Sequence, residues 1–145
     1  DETLLQLAVM PNIYANLECT SAFSTKMPGH LEDMIANFVA WGGAQKIIFS
    51  SGTMVLHSHP LVEKIKDFQF SEATMQKFGI PQITAEERAL ILGGNYARIV
   101  GLDSDKAKKA IADDEFAQEK RKTGLQAPYS NWRRYLKEGR IGAAA

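Results

Sequence analysis

Between Leu4 and Phe49 the apolar positions alternate between a spacing that suits a helix and one that suits a strand. Leu4, Leu5, Leu7, Ala8 and Val9 read as the closing turns of a helix already under way, and since residue 1 is Asp, this predicts a chain that begins inside a larger fold. Pro11-Asn12 breaks the helix, and Ile13 to Leu17 then alternates as a strand does, with Glu18, Cys19, Thr20 and Ser21 following its carboxyl end. After a turn through Lys26, Pro28 and Gly29, the residues Leu31, Met34, Ile35, Phe38 and Val39 form one apolar stripe of a second helix. Trp41-Gly42-Gly43 stops it. Lys46-Ile47-Ile48-Phe49 is short, β-branched and apolar, which predicts a strand buried on both faces. The order helix, strand, helix, strand implies parallel strands joined by crossover helices.

Beyond Pro60 the pattern is helical. Pro60 suits a first helical turn, with Leu61, Val62 and Ile65 apolar, and a second segment from Ser71 to Phe78 is ended by Gly79-Ile80-Pro81. Thr84-Ala85-Glu86-Glu87 is a capping box that launches a helix through Leu92 to Gly93-Gly94. Asn95 to Val100 is a further short helix closed by Gly101. Ser104 to Lys122 carries one modest stripe, Ala107, Ala110 and Ile111, and is expected as a solvated outer helix. Tyr129, Trp132 and Tyr135 then interleave with Arg133, Arg134 and Lys137. Such a segment reads as an extended arm against a partner subunit, and Gly142 to Ala145 as a frayed end.

Composition narrows the partners. Seventeen basic residues balance 17 acidic ones in 145, so no global field favours nucleic acid or an anionic membrane. A single cysteine, Cys19, excludes an internal disulfide and suits a small buried filler in a reducing compartment. No apolar run approaches the ~20 residues of a membrane span, and no signal peptide is visible, so a cytoplasmic location is expected.

Candidate chemistry concentrates in Lys46 to Pro60, where an apolar strand opens into small residues and then into His57 and His59, two of the three histidines. In an extended segment the two imidazoles point the same way and can share a metal ion if other ligands complete the shell. They can equally serve as acid or base near neutral pH, or order the loop. Ser50, Ser51, Gly52 and Thr53 can bind an anion or substrate through amides and hydroxyls, although no phosphate-loop lysine accompanies them. Glu18 is a candidate substrate-binding carboxylate or a solvated strand-end residue. His30, at the start of its helix, is expected to face solvent.

Ile91-Leu92-Gly93-Gly94-Asn95-Tyr96-Ala97-Arg98 resembles the closing helix of the amidohydrolase-related metal-dependent hydrolases, whose TIM barrels end in an Ile-Leu-Gly-Gly-Asn-Ala-Ala-Arg type of sequence. Ile13 to Leu17 resembles the seventh strand of that family and Lys46 to Phe49 its eighth. The resemblance covers residues 4 to 103 in order and implies an α/β fold: the C-terminal part of a (β/α)8 TIM barrel, its last two β/α units, followed by a helical and extended tail over 104–145. Two departures stand out. Where metal-binding members have Phe-Gly-Ser-Asp, this chain has Phe49-Ser50-Ser51-Gly52, without the acid. The family's His-x-His pair belongs to a first strand that this sequence does not contain.

The resemblance implies part or a small subunit of a hydrolase of C–N or C–O bonds, or of a nonoxidative decarboxylase, acting on a small molecule. His57 and His59 would be catalytic, Ser51, Gly52, Thr53 and Glu18 would bind substrate, and a divalent Zn, Mn or Fe ion would be held mostly by residues outside this chain. Another polypeptide segment or subunit would carry the N-terminal strands, and an oligomer is expected. The alternative is a noncatalytic subunit that has lost the acid and serves in assembly.

Overall fold

A computed structural model describes residues 2–18, 27–52 and 58–124. The chain packs as two compact units that divide after Tyr96.

In the first unit, α1 (Glu2–Val9) lies on α2 (Pro28–Gly42). Leu7 is the one buried residue of α1, and its side chain fills the space that a β-carbon at Gly42 would need, 2.7 Å from Leu7 Cγ. The α1 carboxyl end has no basic residue of its own in the last turn. Lys46 supplies the charge from elsewhere: its Nζ donates to the Leu7 carbonyl at 2.8 Å and to that of Met10, satisfying groups that a helix end leaves open. The predicted stripe of α2 faces inward, with Leu31 and Ile35 buried and Met34, Phe38 and Val39 packed against the same core.

The strands are shorter than the alternation predicts. β1 is Ala15–Asn16 and β2 is Ile47–Ile48, paired in parallel with Ala15 opposite Ile47 and Asn16 opposite Ile48. A 3₁₀ turn, Ala44–Lys46, takes the start of the expected second strand. The end of that run is also diverted, because the Phe49 N–H donates not to a strand but to the Ile91 carbonyl of a helical turn, at 3.0 Å. Among the described residues this two-residue pair is the whole sheet, and most of the remainder is helical. The expectation of a TIM-barrel fragment with two β/α units is therefore corrected: the apolar runs are real, but helices and turns satisfy most of the backbone that a barrel would have placed in strands.

The helices that follow are α3 (Ser58–Lys66), α4 (Glu72–Phe78) and α5 (Ala85–Ala89). Ser71 caps α4 by accepting from the Thr74 N–H, and Gly79, at φ +63, ends it in the left-handed conformation that glycine adopts without a Cβ penalty. The Thr84–Glu87 capping box forms as the sequence predicts, with bonds of 3.1 and 2.8 Å. Between α4 and α5, Gln82 acts as a substitute backbone: its Oε1 accepts from the N–H of Phe70 at 2.8 Å and its Nε2 donates to the Phe70 carbonyl at 2.9 Å. Phe68 and Phe70 meet edge to face at 5.2 Å in the same core.

A kinked turn, Leu90–Gly94, in which Gly93 departs from helical dihedrals, joins α5 to α6 (Asn95–Val100). In the second unit the expected single helix over 104–122 is two, α7 (Ser104–Ala110) and α8 (Glu115–Thr123). The break has a local cause. Asp114 accepts from the Ala117 N–H at 2.7 Å and so starts a new helix, while Arg121 reaches back to the Ala112 carbonyl at 3.0 Å and to the Asp113 carboxylate. Neither α7 nor α8 has a buried residue, in keeping with the solvated character read from their sequence.

Candidate functional site

The site begins at the carboxyl ends of the parallel pair. Beyond β1 the ladder continues one step, with the Leu17 N–H donating to the Ile48 carbonyl at 3.0 Å, and Leu17 and Ile47 are both fully buried. Hydrophobic burial of this kind stabilises by about 1.5–3 kcal/mol per side chain and holds the two strand ends side by side. The chain then leaves β1 in a tight local turn in which Asn16 Oδ1 accepts from the Glu18 N–H at 3.0 Å.

Gly52, at the end of the chain leaving β2, comes against this turn. A β-carbon at Gly52 would lie 3.3 Å from the Glu18 carbonyl oxygen, and the residue has φ +54, a left-handed backbone that L side chains rarely adopt. The structure thus joins two of the sequence-predicted residues, Glu18 and Gly52. It also gives a physical reason for glycine at the position where the resemblance leads one to expect an acid. Ser51, just before it, is half-buried.

His59 lies in the first turn of α3. Its Nε2 is 3.0 Å from Glu63 Oε1, one helical turn later on the same helix. The extended His57–His59 arrangement that would aim both imidazoles at one ion is therefore corrected at His59, which is helical. Lys64, the next residue after Glu63, has its ammonium pKa pulled below the ordinary value by burial. Thr53 and His57 lie outside the described residues, as do Cys19 and the aromatic-basic segment from Leu125 onward. His30 is exposed on α2, as expected.

Asn95 was not singled out by sequence reasoning, and it is the residue that supports the site from behind. Its side chain is fully buried, and its Nδ2 donates to the carbonyls of Ala44 and Ile47, each at 2.8 Å. These bonds fix the turn into β2 and β2 itself. The available signal was one amide on the buried face of an otherwise apolar helix, directly after Gly93-Gly94. The kinked turn Leu90–Gly94 completes the support. The Asn95 N–H donates to the Leu90 carbonyl, and the Ile91 carbonyl accepts from the Phe49 N–H.

A catalytic zinc site ordinarily takes three protein ligands, and among the described residues no three His, Cys, Asp or Glu side chains stand together in a way that could hold an ion. The described donors do not fit a resident metal on their own. No helix among them is long and apolar enough to cross a membrane. No protein-family model, characterised protein or solved structure matches the chain.

Proposed function

We infer that this chain supplies substrate-facing strand ends to an amidohydrolase-related enzyme that hydrolyses C–N or C–O bonds or carries out nonoxidative decarboxylation on a small molecule. The observation that carries the reading is the close approach of Gly52 to the Glu18 backbone at the carboxyl ends of the parallel pair β1 and β2. The Ile91 to Arg98 sequence adds to it, because Ile91 and Asn95 anchor the strand that leads to Gly52. In this reading Glu18 offers a carboxylate to substrate, Ser51 a hydroxyl and Gly52 a close backbone approach, with Thr53 and His57 on the segment that follows. His59, tied to Glu63, orders the start of α3. A divalent ion, Zn, Mn or Fe, belongs to a different polypeptide segment, and the working form is a cytoplasmic oligomer that includes it.

A specific observation favours a second reading, an assembly role without catalysis. Gly52 cannot carry an acid without backbone strain, so the chemistry of that position is closed to this chain. Turnover separates the two. Protein isolated with its copurifying segments is assayed on amide, ester and carboxylic-acid substrates, with Glu18→Gln as the variant. The enzyme reading expects turnover and a loss of at least about tenfold in Glu18→Gln with assembly intact. Turnover that ignores Glu18→Gln sinks the proposed role of Glu18, and the absence of turnover across all three substrate classes favours assembly.

A further inference from the structure

The parallel pair has one closed edge and one open edge. Successive residues of a strand turn their backbone N–H and C=O groups to opposite edges, so the bonds already described fix which residue faces where. On β2, Ile48 faces β1, since its carbonyl accepts from the Leu17 N–H at 3.0 Å. Its neighbours face outward, and each has a partner there: the Ile47 carbonyl accepts from Asn95 Nδ2 at 2.8 Å, and the Phe49 N–H donates to the Ile91 carbonyl at 3.0 Å. On β1 the same alternation turns Leu17 towards β2 and Asn16 away from it. Asn16 is exposed, its side chain is occupied in the turn with Glu18, and among the described residues its backbone N–H and C=O meet no partner. An unpaired edge of this kind is a template for another strand. The other described elements of this unit are helices and turns, so none of them takes the place.

We propose that the outer edge of β1 pairs with the same edge of a second copy of this chain, antiparallel about a two-fold axis at Asn16. The residue is self-complementary. Two directly opposed residues of an antiparallel ladder exchange both of their backbone bonds, and Asn16 turns one donor and one acceptor outward, so each copy supplies what the other lacks. In this register Tyr14 stands opposite Glu18 of the second copy, and no like charges are opposed. The closed edge of β2 sets the size. Because Asn95 and Ile91 occupy it, the sheet stops at β2–β1–β1–β2, and the product is a dimer rather than a filament. A strand of two residues makes few such bonds, so the dimer is weak and depends on concentration. The pairing does not rest on the function proposed above.

Sedimentation equilibrium of the full chain, joined to amide hydrogen exchange resolved at Asn16, tests it. The mass is expected to rise reversibly from 16.1 kDa to twice that value and no further as concentration approaches about 1 mM. Over the same range the Asn16 amide is expected to gain at least about tenfold protection. Asn16→Pro removes the outward N–H and leaves the β1–β2 ladder, and it is expected to weaken dimerisation at least about tenfold. Asn16→Ala loses only the side-chain turn and is expected to dimerise within about threefold of the unaltered protein. A chain that stays monomeric, or that grows beyond the dimer, overturns the proposal. So does an Asn16 amide whose exchange ignores concentration in the unaltered protein, as when this chain itself or a different polypeptide covers the edge; that result stands whether or not Asn16→Pro folds. Equal dimerisation of the two folded variants also overturns it.

Discussion

The Asn95 side-chain amide donates to the Ile47 carbonyl at 2.8 Å across 48 residues of sequence, and both side chains are fully buried. The same nitrogen serves Ala44, so one side chain satisfies two backbone acceptors in a place where water cannot replace it. Asn95→Ala leaves both without this donor and is expected to cost about 2–4 kcal/mol in urea unfolding. Asn95→Asp, nearly the same shape but unable to donate when ionised, is expected to be at least as damaging. A cost no greater than that of an exposed substitution would remove Asn95 from the account.

Gly42 and Leu7 form a second coupled pair. A β-carbon at Gly42 would meet Leu7 Cγ at 2.7 Å, which is closer than side chains pack. Gly42→Ala is expected to destabilise by about 1–3 kcal/mol through overpacking. In Leu7→Ala the obstacle is gone, so adding Gly42→Ala to that variant costs less, and a double-mutant cycle should return a clearly non-additive term. Additivity would mean that the two helices do not meet there.

What the sequence disclosed follows from the range of each interaction. The Thr84–Glu87 box, the Ser71–Phe78 helix and the α2 stripe are written within a few residues, and the structure has them where the pattern puts them. The strands are another matter. Ile47-Ile48-Phe49 reads as a strand, but the direction of the Phe49 N–H is decided by a carbonyl at Ile91, and no local pattern reports that. The same holds for Lys46, which closes α1 from 36 to 39 residues away. Gly52 was flagged as a missing acid, while its cause, the approach to Glu18 at positive φ, becomes visible only once the strands are paired.

Gly52 therefore resists substitution even by the smallest side chain. Gly52→Ala places a Cβ at φ +54 and 3.3 Å from the Glu18 oxygen, and a destabilisation of about 1–2 kcal/mol is expected from the backbone alone. Gly52→Asp, which places there the acid that the resemblance implies, is expected to share that penalty rather than improve the site. Thermal unfolding of both variants decides it, and a stability equal to that of the unaltered protein contradicts the geometry.

Glu32 links stability to pH. Burial pushes its carboxyl pKa up, but the Ser71 N–H, which it accepts at 2.6 Å, and the hydroxyls of Thr74 and Ser71 outweigh that and the nearby Asp33, holding it below the ordinary 4.5. A folded-state pKa below the unfolded one means that the contribution is fully present above 4.5 and disappears as pH falls through the folded value. Glu32→Gln lacks this contribution. Its stability is expected to fall less than that of the unaltered protein as pH is lowered from neutrality through 4.5, and an identical pH dependence would show that the Ser71 bond contributes nothing.

The proposed function makes these strand ends part of a larger metal-bearing enzyme. Native mass spectrometry of the protein isolated from its source under non-denaturing conditions tests it most directly. A species heavier than the 16.1 kDa of these 145 residues, with a divalent ion bound, is expected. A metal-free monomer of this chain alone would contradict it.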